Sequence, residues 1–137
     1  MRTIVDTGPL VALLDIREPD HLWAQRALSG LQAPLHTCEA CLSEASFLLG
    51  HVNGGSNALL TLVSRGIVVP QFRLAPEIDA IRKLMTKYAS VPMSLADACL
   101  VRMTELNARA AVITLDQDFR IYRRNGRQAI SVVMPGR

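Results

Sequence analysis

Four acidic side chains stand where the chain otherwise favours apolar ones: Asp6, Glu44, Asp97 and Asp116. Asp6 closes the β-branched run Thr3-Ile4-Val5, and Asp116 follows the apolar run from Ala110 to Leu115. Glu44 and Asp97 fall inside helical patterns otherwise built from Ala, Cys, Leu, Val and Phe. Desolvating a carboxylate is costly, and one is seldom buried without a partner. Too few Lys or Arg lie beside these four in the sequence to neutralise them locally. A divalent cation would satisfy them together, and the chemistry this points to is metal-dependent attack on a phosphodiester. Oxygen-only donors favour Mg²⁺ or Mn²⁺ over zinc. One or two such ions position a water for in-line attack and stabilise charge on the leaving oxygen.

Each acid also has a local explanation. Asp97 completes a capping box with Ser94 and complements the helix dipole. Asp116 and Asp118 cap a short helix, and Asp6 opens a turn with Thr7 and Gly8. Glu44 resists such a reading. Its neighbours at three and four positions are Ala40, Cys41, Phe47 and Leu48, a pattern that points it toward the sheet. Two carboxylates at about 4 Å repel by about 4 kcal/mol at an effective dielectric of about 20. The joint placement of the four therefore carries the inference.

The elements that must bring them together alternate β-branched runs with longer helical ones. Strands are predicted at residues 2–5, 34–37, 67–69, 111–114 and 130–133. Helices are predicted at 8–15, at 21–31 behind an Asp20 cap, at 38–49 and at 56–65. Others open on Pro76 and run to 88, on Ser94 and run to 107, and at 117 to end at 123. Three glycines between 50 and 55 break the pattern. Strands separated by helices imply an α/β fold, with a largely parallel sheet covered on both faces. In such sheets sites lie at the carboxyl ends of the strands, and Asp6 and Asp116 both occupy that end of their own.

At 137 residues, half of them hydrophobic, the expected organisation is one domain over 1–137 with a substantial core. No repeat or linker interrupts it. No apolar window is long enough to span a membrane, and Asp6 interrupts what would be a signal-peptide core. Three cysteines cannot form a disulfide framework, so the expected address is the cytoplasm. His36, Cys38 and Cys41 sketch part of a zinc site, but no second ligand pair completes it, and buried small residues are the default reading. The net charge is +3, and Arg120, Arg123, Arg124 and Arg127 cluster near the end. Guanidinium suits bidentate phosphate contacts, so these four are the expected nucleic-acid ligands.

Taken in order, Ile4-Val5-Asp6-Thr7-Gly8-Pro9-Leu10, Cys41-Leu42-Ser43-Glu44-Ala45, Ser94-Leu95-Ala96-Asp97-Ala98 and Ile113-Thr114-Leu115-Asp116-Gln117-Asp118-Phe119 resemble the PIN domain. Within that family they are similar to the VapC-type toxins of toxin–antitoxin pairs. The resemblance implies a three-layer α/β/α sandwich around a parallel sheet of about five strands, and Mg²⁺- or Mn²⁺-dependent endoribonuclease activity. It implies that Asp6, Glu44, Asp97 and Asp116 bind the metal, with Asp118 an additional acid and Thr7 and Thr114 supporting hydroxyls. It further implies an RNA substrate, a small antitoxin that inserts into the acidic cleft, and a homodimer.

Other readings fit less well. A phosphoaspartyl phosphatase would place a second acid where this chain has Gly8. A receiver domain would need a Lys near the end of a late strand, and Lys83 and Lys87 both fall in a helix. Thr7-Gly8-Pro9-Leu10 does not supply the glycines of a dinucleotide fingerprint. The serious rival is a module of the same fold that binds RNA or a protein partner without cleaving anything.

Overall fold

A computed structural model describes residues 2–136. The first strand, β1 (Thr3–Val5), feeds α1 (Thr7–Leu14), and α2 (His21–Ser29) leads to β2 (Leu35–His36). Next come α3 (Glu39–Leu48), α4 (Gly55–Ser64) and β3 (Val68–Val69). A 3₁₀ turn (Ala75–Glu77) precedes α5 (Ile78–Lys87), followed by α6 (Leu95–Leu106) and β4 (Ala111–Ile113). A second 3₁₀ turn (Gln117–Arg120) then gives way to β5 (Arg123–Arg124), β6 (Gln128–Ala129) and β7 (Val132–Val133).

Five strands form one sheet in the order β3-β2-β1-β4-β7, and every neighbouring pair is parallel. Successive residues of a strand face opposite sides, and the core divides accordingly. Ile4 and Val112 join Ile81, Leu84, Leu100 and Val101 of α5 and α6 on one face. Val5 and Ile113 join Leu10, Leu28 and Leu59 of α1, α2 and α4 on the other. Both faces are therefore covered, which is why β1 and β4 are buried along their whole lengths. This is the expected α/β/α sandwich. Helix α3 belongs to neither layer alone: Cys41 packs into the first cluster and Ala45 into the second.

The strands are short, and backbone bonds beyond them pin the carboxyl rim. Asp6 N donates to Ile113 O at 3.0 Å, Thr37 N to Val69 O at 3.1 Å, and Thr114 N to Val133 O at 3.1 Å. The Thr37 hydroxyl adds a 2.8 Å bond to Val5 O. The turn into α4 needs its glycine: a Cβ on Gly55 would stand 2.9 Å from both Leu49 O and Val52 Cβ.

Two predicted elements differ. The helix expected at 117–123 is a single 3₁₀ turn that stops at Arg120. Arg123 and Arg124 instead pair with Gln128 and Ala129 in an antiparallel hairpin. Asn125 and Gly126 in its loop have φ of 50° and 83°, values that Asn and Gly tolerate best. The helix expected from Pro76 begins with one tighter turn before α5 proper. No helix among the described residues is long and apolar enough to cross a membrane.

Candidate active site

The rim carries a cleft of about 520 Å³ lined by Asp6, Glu18, Glu44, Asp97, Asp116 and Asp118. These are six of the chain's 12 acids, and among the described residues no Lys, Arg or His lines the cleft with them. Thr7, Gly8, Val11, Leu48, Pro92, Ser94 and Leu115 complete the wall. A Cβ on Gly8 would come within 3.3 Å of the Leu115 side chain, so a glycine at this position lets α1 lie close to that wall.

Asp6 sits at the end of β1 and caps α1, its Oδ1 accepting from Thr7 N at 2.7 Å. Its Oδ2 accepts from the Thr114 hydroxyl at 2.7 Å, and the Cys41 thiol approaches Oδ1 at 3.9 Å. Asp6 as a residue is 7 % exposed. Burial raises its pKa from the ordinary 3.8; the Thr114 and Thr7 bonds oppose that, and Asp116 and Glu44 push it further up. Thr114 does a second job: its hydroxyl oxygen accepts from Asp116 N at 3.0 Å. Asp116 in turn caps the next turn, accepting from Asp118 N at 2.9 Å.

Asp97 lies in the first turn of α6, where the Ser94 hydroxyl accepts from its N–H at 3.0 Å. Half of the expected capping box is therefore present. Asp97 Oδ2 accepts from the Tyr122 hydroxyl at 2.8 Å. Burial pushes Asp97 up to about 6; the Tyr122 bond pulls it down, and Asp6 and Asp116 push it up. The pKa of Tyr122 is raised by burial and then by Asp97, so the phenol keeps its proton as a donor. The pKa of Asp118 is also raised, by burial and by Asp116.

The donors to these carboxylates are neutral: backbone amides, hydroxyls and a thiol. They orient the oxygens and leave the charge uncompensated. The four expected ligands thus share one cleft, as read from the sequence, with one correction to the reasoning. Glu44 does not point into the sheet; it is exposed on the cleft wall. Its helical neighbours Phe47 and Leu48 are also exposed, at 82 % and 42 %. Helix α3 lies across the rim, and the apolar stripe read as a core face is partly a surface one.

Among the described residues, no three His, Cys, Asp or Glu side chains form a ready-made metal ligand set. The residues fit a hard divalent cation by donor type and by uncompensated charge, not by preassembled geometry. The partial zinc site is not built. Cys38, Cys41 and Cys99 are buried together as free thiols. His36 faces a separate cavity of about 220 Å³ that has no acid in its wall.

The four arginines divide. Arg123 Nη1 donates to the carbonyls of Arg120 and Tyr122 at 2.8 and 3.0 Å. Arg124 Nε and Nη2 both donate to Thr104 O, at 3.1 and 2.7 Å, in the last turn of α6. Arg120 and Arg127 are exposed. None of the four lines the cleft. Sequence reasoning missed Tyr122, Glu18 and Cys41 as neighbours of the acids. No local signal marked Tyr122, whose partner Asp97 lies 25 residues away in the chain.

The class of domain is thus a three-layer α/β/α fold with an acidic pocket at the carboxyl rim of a β3-β2-β1-β4-β7 sheet. The PIN domain model matches residues 3–125, and the chain belongs to that family. Ribonuclease VapC26 of Mycobacterium tuberculosis is 26 % identical over 118 residues, covering 83 % of this chain and 86 % of that protein. The crystal structure of Mycobacterium tuberculosis VapC20, a toxin that cleaves the sarcin–ricin loop, superposes with a TM-score of 0.71. It covers 85 % of this chain and 91 % of its own at 18 % identity, a likeness of fold. The resemblance to the PIN domain and its VapC-type members is borne out by these matches.

Proposed function

We propose that this protein is a metal-dependent endoribonuclease, the toxin of a toxin–antitoxin pair, acting through Asp6, Glu44, Asp97 and Asp116 on Mg²⁺ or Mn²⁺. The observation that carries the reading is the cleft itself, with six acids and, among the described residues, no lining cation and neutral donors only. The named ribonuclease relative supports the choice of RNA as substrate. A bound ion would lower the pKa of a water and offset negative charge on the phosphodiester.

The chain's own residues do the rest. Asp6, fixed at both oxygens, is the rigid anchor of the site. Thr114 couples it to the turn bearing Asp116 and Asp118. Exposed Arg120 and Arg127 supply phosphate contacts, while Arg123 and Arg124 chiefly hold the backbone that presents them. A small antitoxin fits the same surface: Leu48 in the cleft wall and Phe47 beside it on α3 offer apolar contact next to uncompensated charge. A homodimer and a cytoplasmic address belong to this reading, the latter supported by three free thiols.

The test is cleavage of structured RNA with Mg²⁺ or Mn²⁺, comparing the wild type with Asp6→Asn, Glu44→Gln and Asp116→Asn. Loss of cutting in all three, with RNA binding retained, is expected. RNA binding with no cutting by the wild type under either ion would favour the non-catalytic module.

A further inference from the structure

A carboxylate that binds a cation must be held in one orientation and yet keep its negative charge. A Lys or Arg partner would do the first but compensate locally the charge that has to attract the cation. A neutral hydroxyl does both, provided that it is itself immobile. Tyr122 meets these conditions for Asp97. Its hydroxyl donates to Asp97 Oδ2 at 2.8 Å, and its ring is fully buried.

The ring is also clamped. Tyr88, at the end of α5, meets it edge to face with centroids 5.1 Å apart and an interplanar angle of 68°. Phe119, from the 3₁₀ turn, meets it at 5.2 Å and 84°. Tyr88 is pinned in turn, its hydroxyl accepting from Arg123 N at 2.8 Å. The segment from Thr114 to Tyr122 therefore carries Asp116 and Asp118, touches Asp6 at one end and touches Asp97 at the other.

We infer that Tyr122 is a positioning residue for the proposed metal centre, fixing the Asp97 carboxylate from α6 against the turn that carries Asp116. This rests on the metal-dependent reading of the cleft. A purely structural tyrosine that only needs somewhere to place its hydroxyl would predict different behaviour when that hydroxyl is removed.

The experiment is Mn²⁺ titration by calorimetry of the wild type, Tyr122→Phe, Asp97→Asn and the double variant, with melting temperatures in EDTA. Phe keeps the ring packing and removes the donor. Tyr122→Phe is expected to weaken Mn²⁺ binding about ten-fold or more, and to lower kcat on RNA while KM stays put. In the Asp97→Asn background the same substitution should change Mn²⁺ affinity no further. Equal affinity of wild type and Tyr122→Phe overturns the inference while leaving the metal reading intact. A wild type that binds no Mn²⁺ overturns both.

A second readout does not depend on that variant folding. The chain has two tyrosines, so 3-fluorotyrosine labelling gives two fluorine NMR resonances, assigned with Tyr88→Phe. Mg²⁺ should shift the Tyr122 resonance in the wild type and leave it unmoved in Asp97→Asn. A Tyr122 resonance indifferent to saturating Mg²⁺ overturns the inference.

Discussion

In EDTA, the wild type should lose stability relative to Asp97→Asn as the pH is raised from about 4.5 to about 7. Asp97 titrates at about 6 in the fold against an ordinary 3.8, so the folded chain holds that proton more tightly than the unfolded one. The associated stabilisation is complete below the unfolded value and disappears as the pH climbs through the folded one. Integrated across the window, this shift corresponds to about 2 kcal/mol, which solvent screening at a half-buried position reduces to about 1 kcal/mol. The pKa of Asp6 is displaced in the same direction, but Asp6 is present in both proteins and its contribution cancels in the difference. Two groups act the other way. The pKa of Asp15 is lowered by its bond from Arg17 N, but it is already ionised across this window. Burial lowers the pKa of His36, an effect common to both proteins that cancels in the difference. The assay is urea or thermal unfolding of each protein at several pH values. A relative decline of about 1 kcal/mol, or about 3–5 °C in melting temperature, is expected. Saturating Mn²⁺ at pH 7 should reverse it in the wild type by mass action. A wild type that gains stability relative to Asp97→Asn over this range would refute the electrostatic account of the cleft.

Thr114→Val removes the hydroxyl that both donates to Asp6 and accepts from Asp116 N. With those buried groups left unsatisfied, urea unfolding should show a loss of about 1–3 kcal/mol. Arg124→Met should destabilise the fold by about 1–2 kcal/mol through the lost bonds to Thr104 O, with RNA affinity unchanged. Arg127→Ala should leave the melting temperature alone, weaken RNA binding and reduce the salt slope by about 1.

The strands and the order of the elements were legible because β-branched runs and turn residues alternate cleanly, and because Asp6 and Asp116 directly follow two such runs. The cleft was legible for the same reason, since the carboxyl rim of a parallel sheet is a consequence of topology. Glu44 was placed correctly and for a partly wrong reason. Helical periodicity groups Phe47 and Leu48 with Ala40 and Cys41, yet it cannot distinguish an apolar stripe in the core from one left on the surface. The 117–123 segment misled because its spacing suits a helix while Asn125-Gly126 favours a hairpin, and the hairpin prevails with Arg124 anchored on Thr104. The contact between Tyr122 and Asp97 joins positions 25 residues apart. No local pattern encodes such a meeting.

The bond from Thr114 N to Val133 O ties the acidic pocket to an edge strand that carries none of its acids. Thr114 holds Asp6 and the turn bearing Asp116, so whatever frays β7 also loosens that turn. Damage at the margin of the sheet is therefore felt in the pocket without any acid being touched.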